Sequence, residues 1–168
     1  MNALAACGFT YDVNTRLKSD GSMIGRITGA KNRVPREGLN DIATAYLKGG
    51  AGPANLYIGL WSGAHVPTGE ETAATLLSLV TEVADYTQAN RLLLDLGAVT
   101  DGSCSNAAAL ARFDMLGAGT VNGAFLSTSQ TKGATTGKLL SVVRFANPRA
   151  VDASVYLEVL SGFQFISL

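Results

Sequence analysis

Reactive side chains are few and scattered in this chain. His65 is its single histidine, so a Ser-His-Asp triad, a Cys-His pair or a multi-histidine metal site would need a second chain to complete it. It sits in a polar loop beside Val66 and Pro67, where a solvent-facing role is expected rather than that of a general base, because no partner is placed to orient it. The acids group as Glu70-Glu71 and as Glu82 with Asp85. A carboxylate pair can hydrolyse a glycoside when the two groups stand about 5–9.5 Å apart across a sugar cleft. The plainer reading is a set of solvated loop acids, some with an arginine partner.

Two further stretches imitate motifs. Gly133-Ala134-Thr135-Thr136-Gly137-Lys138-Leu139 is one residue short of a phosphate-binding loop, and Leu139 stands where Ser or Thr would hold magnesium. It reads as the turn before a strand. Gly102-Ser103-Cys104-Ser105-Asn106 lacks the second glycine of a nucleophile elbow and the second nearby cysteine of a metal knuckle. No catalytic, cofactor-binding or metal-binding residue is therefore assigned. Trp61, where a strand enters a loop, is a candidate interface anchor, since Trp is enriched at binding hot spots. Closing the end of the core is its alternative role.

The elements that would position these groups are mostly strands. With 168 residues the chain suits one domain with a real core. Phe9 to Val13 and Met23 to Ile27 alternate about Asp20-Gly21, a hairpin signal in which both central residues would take positive φ. Residues 1–32 are equally readable as an extended arm pairing with a neighbouring subunit, which makes Tyr11 and Ile24 contact candidates alongside Trp61, His65, Val66 and Pro67. Pro35 to Lys48 is the one clear helix. Pro35 suits its first position, Glu37 its first turn, and Gly49-Gly50 its stop. Leu39, Ile42, Ala43 and Tyr46 form a stripe expected to pack on a sheet.

Asn55 to Trp61 reads as a central strand buried on both faces, and residues 72–83 fit either a short helix or a strand. After Arg91, strands are expected at 91–99, 107–116, 120–127, 138–145 and 154–168, separated by turn residues that include Asn147-Pro148-Arg149. The fold expected is mainly β: a jelly-roll-like sandwich over 33–168, with one short helix.

Composition narrows function. Thirteen basic residues balance thirteen acidic ones, and no basic run follows a phosphate backbone, which argues against nucleic acid. Only 15% of residues are charged while 47% are hydrophobic, and the mean hydropathy is +0.21. Some apolar surface is thus expected to meet another subunit. No apolar run reaches the roughly 18 residues of a membrane span. Leu4-Ala5-Ala6-Cys7 imitates a lipoprotein box but lacks the leader such a signal needs, so secretion is not expected. Cys7 and Cys104 are expected to be reduced thiols.

Taken in order, Pro35-Arg36-Glu37-Gly38-Leu39-Asn40, Lys48-Gly49-Gly50, Tyr57-Ile58-Gly59-Leu60-Trp61, Pro67 to Ala74, and Glu82 through Tyr86 to Arg91 resemble a group of small virion structural proteins of tailed bacteriophages. Gly123-Ala124-Phe125-Leu126 and Arg144-Phe145 to Pro148 continue the likeness. The resemblance implies a place in the particle without catalysis or cofactor. Within that class it favours a capsid cement or decoration protein, a trimer seated on the major capsid protein at the capsid exterior and assembled in host cytoplasm. The alternatives are a tail or fibre protein that binds host glycan through Trp61 and the 63–71 loop, and a small cell-wall glycosidase using Glu70, Glu71, Glu82 or Asp85.

Overall fold

A computed structural model describes residues 5–167, with side chains for 8–165. Strand β1 (Ala5–Leu17) directs Phe9, Tyr11, Val13 and Thr15 to one face, and all four are buried. It pairs antiparallel with β2 (Met23–Lys31), with Asn14 opposite Arg26. Residues 1–32 were open between an arm and a hairpin; the described part is a hairpin whose first strand lies inside the same sheet as the rest of the chain. Its turn differs from expectation. Only Gly21 takes positive φ, at 73°, while the Asp20 carboxylate accepts a hydrogen bond from Ser22 N–H at 2.9 Å. The turn with both residues at positive φ is Asp101-Gly102 (50° and 70°).

Helix α1 (Arg36–Leu47) begins after Pro35, which is the extended N-cap rather than the first helical residue. Gly38 is its one buried residue. A Cβ there would stand 2.9 Å from Leu139 O and Leu140 Cα, so the first turn rests directly on strand backbone. The helix stops at Gly49 (φ 67°), and Thr44 O accepts from the N–H groups of Lys48 and Gly50, both at 3.1 Å. The expected packing of its apolar stripe on a sheet is not what forms. Leu39, Ala43 and Tyr46 face outward, because the helix rests on the body through the side that carries Gly38 and the half-buried Ile42 and Ala45.

The remaining elements are β3 (Tyr57–Ser62), α2 (Leu76–Leu79), β4 (Thr81–Val83), β5 (Leu92–Leu93), β6 (Ser103–Ser105), β7 (Ala111–Asp114), β8 (Gly119–Ser127), β9 (Leu139–Val151) and β10 (Val155–Ser167). Residues 72–83 thus hold a helical turn followed by a strand. The expected strands at 91–99 and 107–116 shrink to two and four residues. Conversely, β9 runs on through Asn147-Pro148-Arg149, which had the look of a turn. Its pairing with β8 jumps from Arg149 opposite Val121 to Arg144 opposite Gly123, and a proline is tolerated in such an irregularity because no ladder N–H is required there.

Two antiparallel sheets result, ordered β2-β1-β10-β6 with β7 also on β10, and β4-β3-β8-β9 with β5 also on β3. Both flanks of this sandwich are laced. On one, Arg33 and Val142 exchange backbone hydrogen bonds at 2.8 and 3.0 Å, and the Arg149 guanidinium donates to Arg26 O. On the other, Tyr86 bridges Met115, and Thr87 N–H donates to Asp114 O at 3.0 Å. Lacing of this kind covers strand edges that would otherwise invite another chain.

The main core lies between the sheets, with Tyr11, Val13, Phe113, Leu157 and Val159 meeting Ile58, Leu60, Ala124, Val143 and Phe145. A second apolar cluster covers the outer face of the β3–β8–β9 sheet, where Trp61, Phe125, Leu139 and Val142 lie under Ala73, Leu76 and Val80. Polar contacts also cross between the sheets. Tyr11 Oη donates to Ser141 Oγ at 2.7 Å, and Asn32 Nδ2 donates to the same oxygen at 2.8 Å. Burial pushes the Tyr11 hydroxyl well above its ordinary pKa, so it stays a neutral donor.

Gly123 has no room for a side chain, since a Cβ would meet Val143 O and the Trp61 indole. Gly123→Ala is expected to lower stability by about 1–3 kcal/mol or more through overpacking, read as a fall in the urea midpoint. An unchanged midpoint would contradict the close approach.

Candidate functional site

The loop after β3 is organised by Glu71, whose side chain is only 1% exposed. Its carboxylate accepts from Thr68 N–H at 2.7 Å, Thr68 Oγ1 at 3.0 Å and Gly69 N–H at 2.9 Å, and it lies 2.7 Å from His65 Nε2. Burial alone would raise its pKa, but these donors outweigh burial and hold it down to about 2. His65 does have a partner, then, and its carbonyl accepts from Arg144 Nη1 at 2.7 Å. Val66 remains exposed at the tip and Pro67 is half-buried.

The other contact candidates separate sharply. Trp61 is wholly buried, with its indole N–H shared between Ala124 O at 3.2 Å and Val143 O at 3.1 Å. It closes the core and presents no surface to a partner. Tyr11 is likewise inside, whereas Ile24 stands 56% exposed on β2 beside Met23. The structure therefore leaves Ile24, Val66, Pro67 and part of His65 at the surface, and brings only the last three together.

Glu82 and Arg91 form a buried, bidentate pair, with Nε–Oε1 at 2.8 Å and Nη2–Oε2 at 2.9 Å. Arg91 also donates to Ser129 O and Ala134 O, both at 3.2 Å, and its guanidinium lies 4.9 Å from the Phe125 ring centre. Gly133 N–H donates to Glu82 Oε2 at 2.6 Å. The stretch that imitates a phosphate-binding loop is thus a turn docked on a carboxylate of its own chain. As glycosidase candidates these acids are ill-placed: Glu71 is held ionised, opposite to what a proton-donating acid needs, and Glu82 is fully engaged. Glu70 pairs with Arg36 at 2.6 Å in the open.

The surface around α1 escaped the sequence reading. On one flank Arg36, Asn40, Asp41, Glu70 and Lys138 line an open polar groove of about 530 Å³. Glu37 pins this side by accepting from Ala73 N–H at 2.8 Å and Leu139 N–H at 2.9 Å. On the other flank Leu39, Ile42, Ala43, Tyr46, Leu47 and Phe165 enclose an apolar groove of about 550 Å³. Tyr46 is 87% and Leu47 74% exposed. The stripe was visible as periodicity; its exposure was not, because periodicity marks an apolar face without saying what covers it.

Among the described residues no three of His, Cys, Asp and Glu converge closely enough to hold a metal ion, and no helix is long and apolar enough to cross a membrane. Comparison with protein-family models gives no match, and comparison with curated proteins gives none.

Two outcomes are expected. Arg91→Met leaves Glu82 buried without its partner and should destabilise by about 3–5 kcal/mol, measured by chemical denaturation; a change under 1 kcal/mol would show the pair to be incidental. Because the folded-state pKa of Glu71 lies below its ordinary 4.5, its contribution is complete above that value and declines as pH falls toward 2. Glu71→Gln should therefore be less stable at pH 7 and show a flatter stability profile between pH 4.5 and 2 than the parent. Parallel profiles would count against this assignment.

Proposed function

We propose that this chain is a non-enzymatic structural protein of a bacteriophage particle, a capsid cement or decoration protein that binds the major capsid protein as a trimer on the shell exterior after assembly in host cytoplasm. The observation that carries the reading is the exposed apolar face of α1 with Phe165, set on a sandwich whose own flanks are laced shut. Large apolar side chains grouped in the open mark association surfaces, and a net charge of zero sets no repulsion against permanent contact. Ile24 with Met23, and Val66 with Pro67, are further exposed apolar points at which a shell subunit could be held. A subunit that bridges several shell proteins gains by multivalency, since its contacts must break together. The fibre alternative rests on Trp61 and the 63–71 loop, and of these Trp61 is sealed inside.

Light scattering after size exclusion, combined with co-sedimentation on empty expanded shells, tests the reading. A species of three chain masses that sediments with shells is expected. Failure to bind shells would overturn it, as would turnover of cell-wall polysaccharide that is lost on changing Glu70 or Asp85 to its amide.

A further inference from the structure

Three places in the chain set an Asp or Asn directly before glycine: Asp20-Gly21, Asp101-Gly102 and Asn122-Gly123. Such a pair can close on itself, because glycine leaves its backbone nitrogen unshielded and a five-membered ring joins that nitrogen to the preceding side-chain carbonyl carbon. In a folded chain the outcome depends on what already holds the two groups, and here the three pairs are held very differently.

At Asp20-Gly21 both reactants are occupied. Gly21 N–H donates to Leu17 O at 2.9 Å, and the Asp20 carboxylate accepts from Ser22 N–H at 2.9 Å. The bonds from Ser22 also hold this carboxyl below its usual pKa, in the ionised form that cannot expel water. At Asn122-Gly123 the Asn122 side-chain oxygen accepts from Gly63 N–H at 3.1 Å, and Gly123 is locked in the sheet opposite Trp61 and Arg144, so its backbone cannot turn to meet the amide. Asp101-Gly102 differs on each count. Both residues are exposed, and among the described residues neither the Asp101 carboxylate nor Gly102 N–H has a hydrogen-bond partner. Asp101 is also the one non-glycine residue at positive φ among them, at 50°, a conformation that an L residue holds under strain.

We propose that Asp101 is a site of spontaneous backbone modification, at which the peptide bond to Gly102 migrates from the α-carboxyl to the side-chain carboxyl and leaves an isoaspartate. The Gly102 nitrogen attacks Asp101 Cγ; as the new N–C bond forms, the carboxyl hydroxyl departs with the amide proton as water, and a succinimide results. Water then adds at either ring carbonyl. Opening at Cγ restores aspartate, whereas opening at the α-carbonyl breaks the original peptide bond and leaves the chain running through Cβ and Cγ. No oxidant, cofactor or second protein takes part. The product lengthens a two-residue turn on which β6 depends: Thr100 and Ser103 exchange backbone hydrogen bonds at 2.9 Å, and Gly102 O accepts from Phe165 N–H at 2.9 Å. A longer turn cannot keep all of these, so the β6 edge loosens while the core between the sheets stays packed. The site is independent of the proposed place in a particle.

The test incubates the full chain in mildly acidic heavy-oxygen water, returns it to ordinary water, and locates label by peptide mass spectrometry. A protein-isoaspartate methyltransferase with labelled S-adenosylmethionine is the second probe, and a parallel sample in urea is the unfolded reference. In the folded protein heavy oxygen and methyl label are expected at Asp101, with Asp20 slower by roughly tenfold or more because two hydrogen bonds must first break. In the labelled fraction Phe165 N–H should exchange with solvent faster than in fresh protein. Labelling of Asp101 no faster than Asp20 in the folded chain, or heavy oxygen at Asp101 without isoaspartate, overturns the proposal; unchanged exchange at Phe165 overturns the loosening of β6.

Discussion

Two-sided burial of the β3–β8 pair is the constraint from which the rest follows. Ile58, Leu60, Ala124 and Leu126 face the inter-sheet core, while Trp61 and Phe125 face outward and must also leave water. The outward pair needs a cover, and among the described residues no third sheet supplies one. The 63–80 excursion does so instead, with Ala73, Leu76 and Val80 laid over the indole. Space for the two rings is taken from the backbone: side chains at Gly59 and Gly123 would collide with Phe125 and Trp61 respectively.

A cover made of loops carries backbone N–H groups that need acceptors. Three carboxylates meet that need. Glu37 takes Ala73 and Leu139, Glu71 takes Thr68 and Gly69, and Glu82 takes Gly133 while holding Arg91. Each is an acid that sequence inspection ranks as a reaction candidate or a helix-dipole partner. Their engagement explains why the outer layer is ordered without regular structure, and why proton-transfer chemistry gains little from them. An ionised acceptor binds N–H groups more strongly than a neutral one, so the same contacts that order the 63–71 loop keep Glu71 charged.

How much of this was legible depended on whether the signal was local. The existence of α1, the central character of β3 and the sandwich class could be read from spacing and turn residues, since each depends on neighbours within a few positions. The arm-or-hairpin question for residues 1–32 could not be closed, because β1 is held by β10, more than a hundred residues away. Pro148 suggested an end to β9, yet the mismatch with β8 accommodates it. Trp61 was open between contact and core, and Tyr11 stood as a contact candidate, because aromatic character is shared by cores and interfaces; only partners such as Ala124 O and Ser141 distinguish the two. The stripe on α1 erred in the opposite direction, being given to the core when it faces water.

Strands β1 and β10 run side by side from Ala5 opposite Ser167 to Leu17 opposite Val155, so the two ends of the described chain leave the molecule at one corner. Tension drawn through those ends would peel the ladder a rung at a time, the weakest way to load an antiparallel pair. Tension entering across the face of the sandwich would instead strain many rungs together. Mechanical endurance in this molecule is therefore directional, and a durable attachment to anything under strain should grip its flanks rather than its tails.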